Sequence, residues 1–247
     1  MNGKKEKQIL IMGHRGASKI APENTLLAFQ KAIELKADFI EFDVLKSFDR
    51  ELVITHDENV SRLTGKNGFV KEMSLKELKQ LDFGEGEKIP TLTELIETTK
   101  GKIKLNCEIK VEGIVKKTIE LFQKYDIIDS TIVSSFLHDE LLKFQAEEPN
   151  LKLASLEPTP ETTKLDWNTK KKMIDYCVNN NLYAINPIVM MVDQQFVDYA
   201  HGNEIKVFPW TVDTKISIKK LIKYGVDGII TNDIETAKNI LEKTENQ

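Results

Sequence analysis

His-Arg-Gly at 14–16, Glu-x-Asp at 41–43, His-Asp at 56–57 and Glu-x-Lys at 108–110 are the groups here whose types and spacing could do chemistry. Histidine is the side chain whose ordinary pKa lies near neutrality, so His14 and His56 as a pair could take and give a proton in one reaction. Glu41, Asp43 and Glu108 offer oxygen donors only, and the chain has no Cys/His ligand spacing; a shared cation would be Mg, Ca or Mn rather than structural zinc. Arg15 is a planar fork for an anion and Lys110 a compact cation. The ordinary alternative is that Glu41 and Asp43 merely pair with Lys110 and Arg15. Gly13 and Gly16 beside His14 would let backbone approach a ligand. Trp210 could wall a ligand or fill a core. His138 reads as a helix cap or a rim residue, His201 beside Gly202 as a C-terminal cap interaction, and Trp167 as structural. Arg62 is a surface charge unless its segment folds over the site.

The elements that must position these groups follow a strand–helix rhythm. Strand patterns fall at 8–14, 39–45, 103–110, 131–136, 151–157, 183–188, 205–212 and 228–232. Helical patterns fall at 24–36, 113–124, 138–147, 168–181, 193–202, 214–224 and 234–243, and capping boxes at Ser74-x-x-Glu77 and Thr91-x-x-Glu94 open two more. Such alternation implies a parallel sheet, and eight units in this length imply an α/β fold of the TIM (β/α)8 barrel type. A further strand, 51–57, follows its predecessor too closely for a parallel crossover, so it turns back as a hairpin at Phe48-Asp49-Arg50. The polar stretch 58–91, with one short helix, reads as an insertion into a single domain spanning 1–247, and KTENQ as a frayed tail. Barrel active sites lie at the carboxyl ends of strands. His14, Glu41, Asp43, Glu108, Lys110, Trp210 and Asn232 all fall there. Strand parity turns Asn106, Glu108 and Lys110 to one face and Leu105, Cys107 and Ile109 to the other. The charged set must therefore face the lumen, where carboxylates repel unless a cation joins them.

Composition narrows the function classes. With 35 Lys+Arg against 39 Asp+Glu, the net charge of −4 disfavours duplex binding, and of the basic residues only Arg15, Arg50 and Arg62 are arginine. No apolar run approaches the ~18 residues of a membrane span. Ile9–Met12 is too short for the ~7–15-residue core of a signal peptide. Cys107 and Cys177 read as reduced thiols, which with the missing signal points to a cytoplasmic protein.

The run HRGASKIAPENTLLAFQKAIELKADFIEFDVLKSFDRELVITHDENVSRLTGKNG resembles the start of a glycerophosphodiester phosphodiesterase. The likeness continues through IPTLTEL, NCEIK, SSF, PWTV and GVDGIIT, so it covers almost the whole chain. Lys36, Ser47 and Asn232-Asp233 depart from the family pattern. The resemblance implies a TIM barrel with a small insertion after the HD motif, a divalent metal on Glu41, Asp43 and Glu108, and an acid–base pair in His14 and His56. It further implies phosphate held by Arg15 and Lys110, Glu23 supporting the site from behind, and Trp210 with Phe136 lining the substrate pocket. The implied reaction is hydrolysis of a small-molecule glycerophosphodiester to sn-glycerol 3-phosphate and an alcohol. A homo-oligomer is left open. One rival is a lysophospholipase D or phosphatidylinositol-phospholipase-like phosphodiesterase on the same barrel, which the charges of the 58–91 stretch disfavour. The other is a non-catalytic barrel binding a phosphorylated ligand, which the intact histidine pair and carboxylates disfavour.

Overall fold

A computed structural model describes residues 9–245; the basic N-terminal residues and the end of the KTENQ tail lie outside the described residues. The elements in order are β1 (Leu10–Gly13), α1 (Leu26–Glu34), β2 (Phe39–Lys46), β3 (Leu52–Ile54), α2 (Ser61–Thr64), α3 (Leu75–Leu78), α4 (Leu92–Thr99), β4 (Lys104–Ile109), α5 (Val115–Lys124) and β5 (Thr131–Ser135). They continue with α6 (His138–Glu147), β6 (Lys152–Glu157), α7 (Trp167–Asn179), β7 (Ala184–Pro187), α8 (Gln194–Gly202), β8 (Lys206–Val207), α9 (Lys215–Tyr224), β9 (Gly228–Thr231) and α10 (Ile234–Glu245).

Eight parallel strands run in the order β8-β7-β6-β5-β4-β2-β1-β9. The two ends meet: Asp227 N donates to Val207 O at 3.1 Å, Ile230 N to Pro209 O at 2.9 Å and Val212 N to Ile230 O at 2.9 Å. The result is a nearly closed TIM barrel. Period-two patterning explains it. Inward Met12, Phe39, Ile132, Ala154, Ala184, Phe208 and Ile230 form one apolar plug in the lumen. Outward Ile40, Phe42, Val44, Leu105, Cys107, Ile109, Val133 and Ile185 belong to the larger core under the helices. Each fully buried Ile, Leu or Phe contributes roughly 1.5–3 kcal/mol. The seventh barrel strand is shorter than the 205–212 pattern predicts, because Pro209 has no N–H to continue the ladder.

The predicted hairpin is present. β3 pairs antiparallel with β2, Val44 opposite Ile54 and Lys46 opposite Leu52. The stretch after it holds two short helices, α2 and α3, and a 3-10 turn at Val70–Glu72, where one helix was expected. Leu45, Val53, Val60, Val70, Leu78, Leu81, Phe83 and Ile89 form a second small core beneath it. Both capping boxes form, at Ser74/Glu77 and Thr91/Glu94.

Candidate active site

The first strand delivers His14 to the rim and then curls back sharply. A Cβ on Gly16, at φ +84°, would lie 2.8 Å from the Ala28 backbone, and one on Gly13 would lie 2.7 Å from Gly16 O. That close packing fixes the His-Arg pair over the strand end. Arg15 N donates to Glu41 Oε2 at 2.8 Å, and its guanidinium reaches Glu23 Oε1 at 2.8 Å and Asp43 Oδ2 at 3.6 Å.

β2 and β4 are neighbours in register, Glu41 opposite Asn106 and Asp43 opposite Glu108. Their lumen-facing carboxylates therefore converge. Glu41, Asp43 and Glu108 each offer an oxygen within 4.8 Å of the others, and all three are buried. Lys110 Nζ lies 2.9 Å from Glu108 Oε1 and 3.4 Å from Asp43 Oδ1. Burial, then the charges of Asp43 and Glu108, push the Glu41 carboxyl well above its usual range. Burial, then Asp43, move Glu108 to about 7. At Asp43 burial works the same way, but Lys110, His56, Arg15 and the Asn24 amide together hold it below the ordinary value. Asp43 Oδ1 is buried without a hydrogen-bond partner. An all-oxygen donor set, an orphaned carboxylate oxygen and two neighbours in charge conflict fit a divalent cation. The ion pairs to Lys110 and Arg15 exist as well, yet they leave that conflict unresolved.

The two histidines come from separate elements, His14 past β1 and His56 past β3, and both line the cleft. His14 Nδ1 lies 2.7 Å from Asn232 Oδ1; that oxygen also accepts Ser18 Oγ at 2.8 Å, while Asn232 Nδ2 donates to Asp213 Oδ2 at 2.6 Å. The Asp213 contact orients the amide, so Nδ1 carries the proton and Nε2 keeps its lone pair. Burial, and next the charge of Arg15, lower the His14 pKa. His56, two residues past β3, places Nδ1 2.6 Å from Asp57 Oδ1. His14, Arg15, Glu41, His56, Asn106, Glu108, Ser134, Phe136, Leu156, Trp210 and Ile230 line one cleft of about 420 Å³. Phe136 and Trp210 meet edge-to-face at 5.7 Å, and the indole donates to Asn186 O at 2.8 Å, giving the cleft a fixed apolar wall.

A family model described as the glycerophosphoryl diester phosphodiesterase family matches residues 14–236. The chain belongs to that family. A glycerophosphodiester phosphodiesterase of Caldanaerobacter subterraneus is 40% identical, over 95% of this chain and 98% of its own. One from Bacillus altitudinis is 32% identical over 94% and 98%. An Oleispira antarctica phosphodiesterase, solved in complex with the product sn-glycerol-3-phosphate, superposes with TM-score 0.84 at 26% identity, covering 94% of this chain and 96% of that one. The Thermotoga maritima glycerophosphodiester phosphodiesterase superposes with TM-score 0.81 at 27% identity, over 94% and 98%. The family makes this chain an enzyme, a phosphoric diester hydrolase, on the barrel expected.

All ten site residues named from the sequence sit at or directly behind the cleft, Glu23 by way of Arg15. Arg62, about half exposed, is more than a free surface charge: its guanidinium lies between Asp57 and Glu23. His138 does not cap α6; it sits past the end of β5, where its Nε2 reaches Leu156 O at 3.1 Å near the end of β6 and its ring stacks on Tyr176. His201 pairs with Asp227 at 2.8 Å instead of capping α8. Trp167 packs edge-on against Tyr199, as a structural residue should. Asp233 pairs with Lys19 and its Oδ1 accepts Thr236 N in the first turn of α10. Sequence reasoning missed Asn24, whose amide donates to Asp43 Oδ2 at 2.8 Å, and, although it set Asn232 at the reactive end, missed that Asn232 holds His14. Their signal was position alone: one in the loop after β1, the other at the end of the last barrel strand.

Proposed function

We propose that this enzyme hydrolyses a glycerophosphodiester to sn-glycerol 3-phosphate and an alcohol, with a divalent cation, Mg or Ca, on Glu41, Asp43 and Glu108. The observation that carries the reading is the convergence of two histidines, three carboxylates, Arg15 and Lys110 on one cleft with an apolar wall. The product named for the Oleispira relative is the one this cleft would release. When bound, the cation neutralises phosphate charge as it builds in the transition state. Arg15 and Lys110, each ion-paired with Asp43, add two cationic groups beside the carboxylates.

His14, neutral and with Nε2 free, is the base: it takes the proton of the attacking oxygen, from water or from the glycerol 2-hydroxyl, as the new P–O bond forms. His56, whose Nδ1–H is held by Asp57, is the acid: Nε2–H gives its proton to the alcohol oxygen as the old P–O bond breaks. If the 2-hydroxyl attacks, a cyclic phosphate forms and water opens it with the roles reversed. Each proton transfer supplies about 10²–10⁴-fold. Phe136 and Trp210 hold the carbon skeleton and limit water. We also read 1–247 as one domain with the 58–91 stretch inserted after the hairpin. The two buried free thiols support assigning it to the cytoplasm; among the described residues no helix is long and apolar enough to cross a membrane.

The test is glycerol 3-phosphate release from several glycerophosphodiesters, before and after EDTA and after Mg or Ca is restored. Chelation should silence the enzyme and the cation revive it. Undiminished turnover by metal-free protein refutes the carboxylate–cation assignment.

A further inference from the structure

We propose that Arg62 is a positioning residue for this reaction: one guanidinium clamps the carboxylate behind His56 and the carboxylate behind Arg15, holding the proton-handling and phosphate-facing halves of the site at a set spacing. The inference rests on the reading above that His56 and Arg15 act in turnover. Arg62 Nε donates to Asp57 Oδ2 at 2.5 Å, while Nη2 and Nη1 donate to Glu23 Oε1 at 2.6 Å and Oε2 at 3.1 Å. Asp57 in turn holds His56 Nδ1 at 2.6 Å, and Glu23 holds Arg15 Nη1 at 2.8 Å. The contacts run His56–Asp57–Arg62–Glu23–Arg15 without a gap. The backbones beside the two residues are already joined through β2, Gly16 N donating to Glu41 O and Thr55 N to Asp43 O; what Arg62 adds is a link between the side chains of His56 and Arg15 themselves.

Only arginine suits the position. Its donors leave a plane in a fixed fork, so one side chain can hold two carboxylates at once, whereas an ammonium is a point charge. Arg62 is also carried on the short helix α2, anchored at its start: Val60, which precedes it, is buried in the small core of the hairpin lobe, and Asn59 Oδ1 accepts Ser61 N at 2.9 Å. Burial pushes Glu23 and Asp57 up, but Arg62, with Arg15 on Glu23 and His56 on Asp57, more than offsets it and holds both below their ordinary values, so both remain anionic toward their partners. Being about half exposed, such pairs add little to stability. Their geometric effect is larger, because a misplacement near 1 Å costs about 10²-fold in rate. The stretch carrying Arg62 is thus the strap that joins the hairpin to the first barrel loop.

The experiment compares Arg62→Ala, Arg62→Lys and His56→Ala with wild type on one glycerophosphodiester at saturating Mg. Arg62→Ala should lose about 10- to 10²-fold in kcat, with KM within about threefold and the melting temperature nearly unmoved. Arg62→Lys should recover little of that loss, while millimolar guanidinium should revive Arg62→Ala and leave His56→Ala dead. Full kcat in Arg62→Ala, a loss confined to KM as for a direct substrate contact, or full recovery by lysine overturns the clamp. If Arg62→Ala does not fold, Asp57→Asn and Glu23→Gln each break one arm and must show the same kcat loss. An active His56→Ala overturns the underlying catalytic reading instead, so the two failures are told apart.

Discussion

Glu108 makes a quantitative and counterintuitive prediction about the metal-free protein. Its carboxyl is moved from the usual 4.5 to about 7, by burial first and the Asp43 charge second. Because the folded state holds that proton more tightly than the unfolded chain, the contribution is fully present below 4.5 and is lost as pH rises toward 7. At about 1.4 kcal/mol per pH unit, that window is worth about 3 kcal/mol from this residue. Glu41, raised in the same direction, adds to it. Glu108→Gln keeps the volume and removes the titration, leaving Lys110 paired with Asp43 at 3.4 Å. In EDTA, urea unfolding of wild type should therefore weaken between pH 5 and 8 by roughly 2–3 kcal/mol more than that of Glu108→Gln. At pH 8 without metal the variant should be the more stable protein. Added Mg should reverse the order, because the wild type gains the cation and the variant has lost a ligand. Parallel pH profiles for the two proteins, or a metal-free wild type that strengthens through this window, would refute the charge-conflict account of the triad.

Two further substitutions probe the proton path. His14→Ala or His56→Ala should nearly abolish turnover with folding intact by circular dichroism; a variant retaining a tenth of the wild-type rate sinks that assignment. Asn232→Leu removes the acceptor that holds His14 in one tautomer, so kcat should fall about 10²-fold with KM nearly unchanged, and an unaltered kcat would show that the amide does not orient the ring.

Barrel, hairpin and most of the cleft were legible because they rest on short-range rules. Period two alone sends Glu41, Asp43, Glu108 and Lys110 into the lumen, since their neighbours Phe42, Cys107 and Ile109 need the helices. The chain between Lys46 and Glu51 is too short for anything but a hairpin, so His56 had to return over the rim. Chain position could not assign residues whose partners lie far away. Arg62 sits 39 residues from Glu23, and Asn232 sits 218 from His14. Nothing local distinguishes them from a surface cation and a strand-end amide. The cap alternative for His138 and the C-terminal cap for His201 erred in the other direction, suggested by neighbours in sequence when the partners are Leu156 O on β6 and Asp227 just before β9.

The sequence by itself determined which faces are buried, which end of the barrel is reactive and which kinds of group meet there, because side-chain periodicity and turn length are local. Only the tertiary structure decided how those groups share charge and protons. Three carboxylates conflict only once the register sets Asp43 opposite Glu108, and one guanidinium joins two halves of the site only once the hairpin lobe packs over the rim. Electrostatic coupling depends on distance and burial, and both are created by folding.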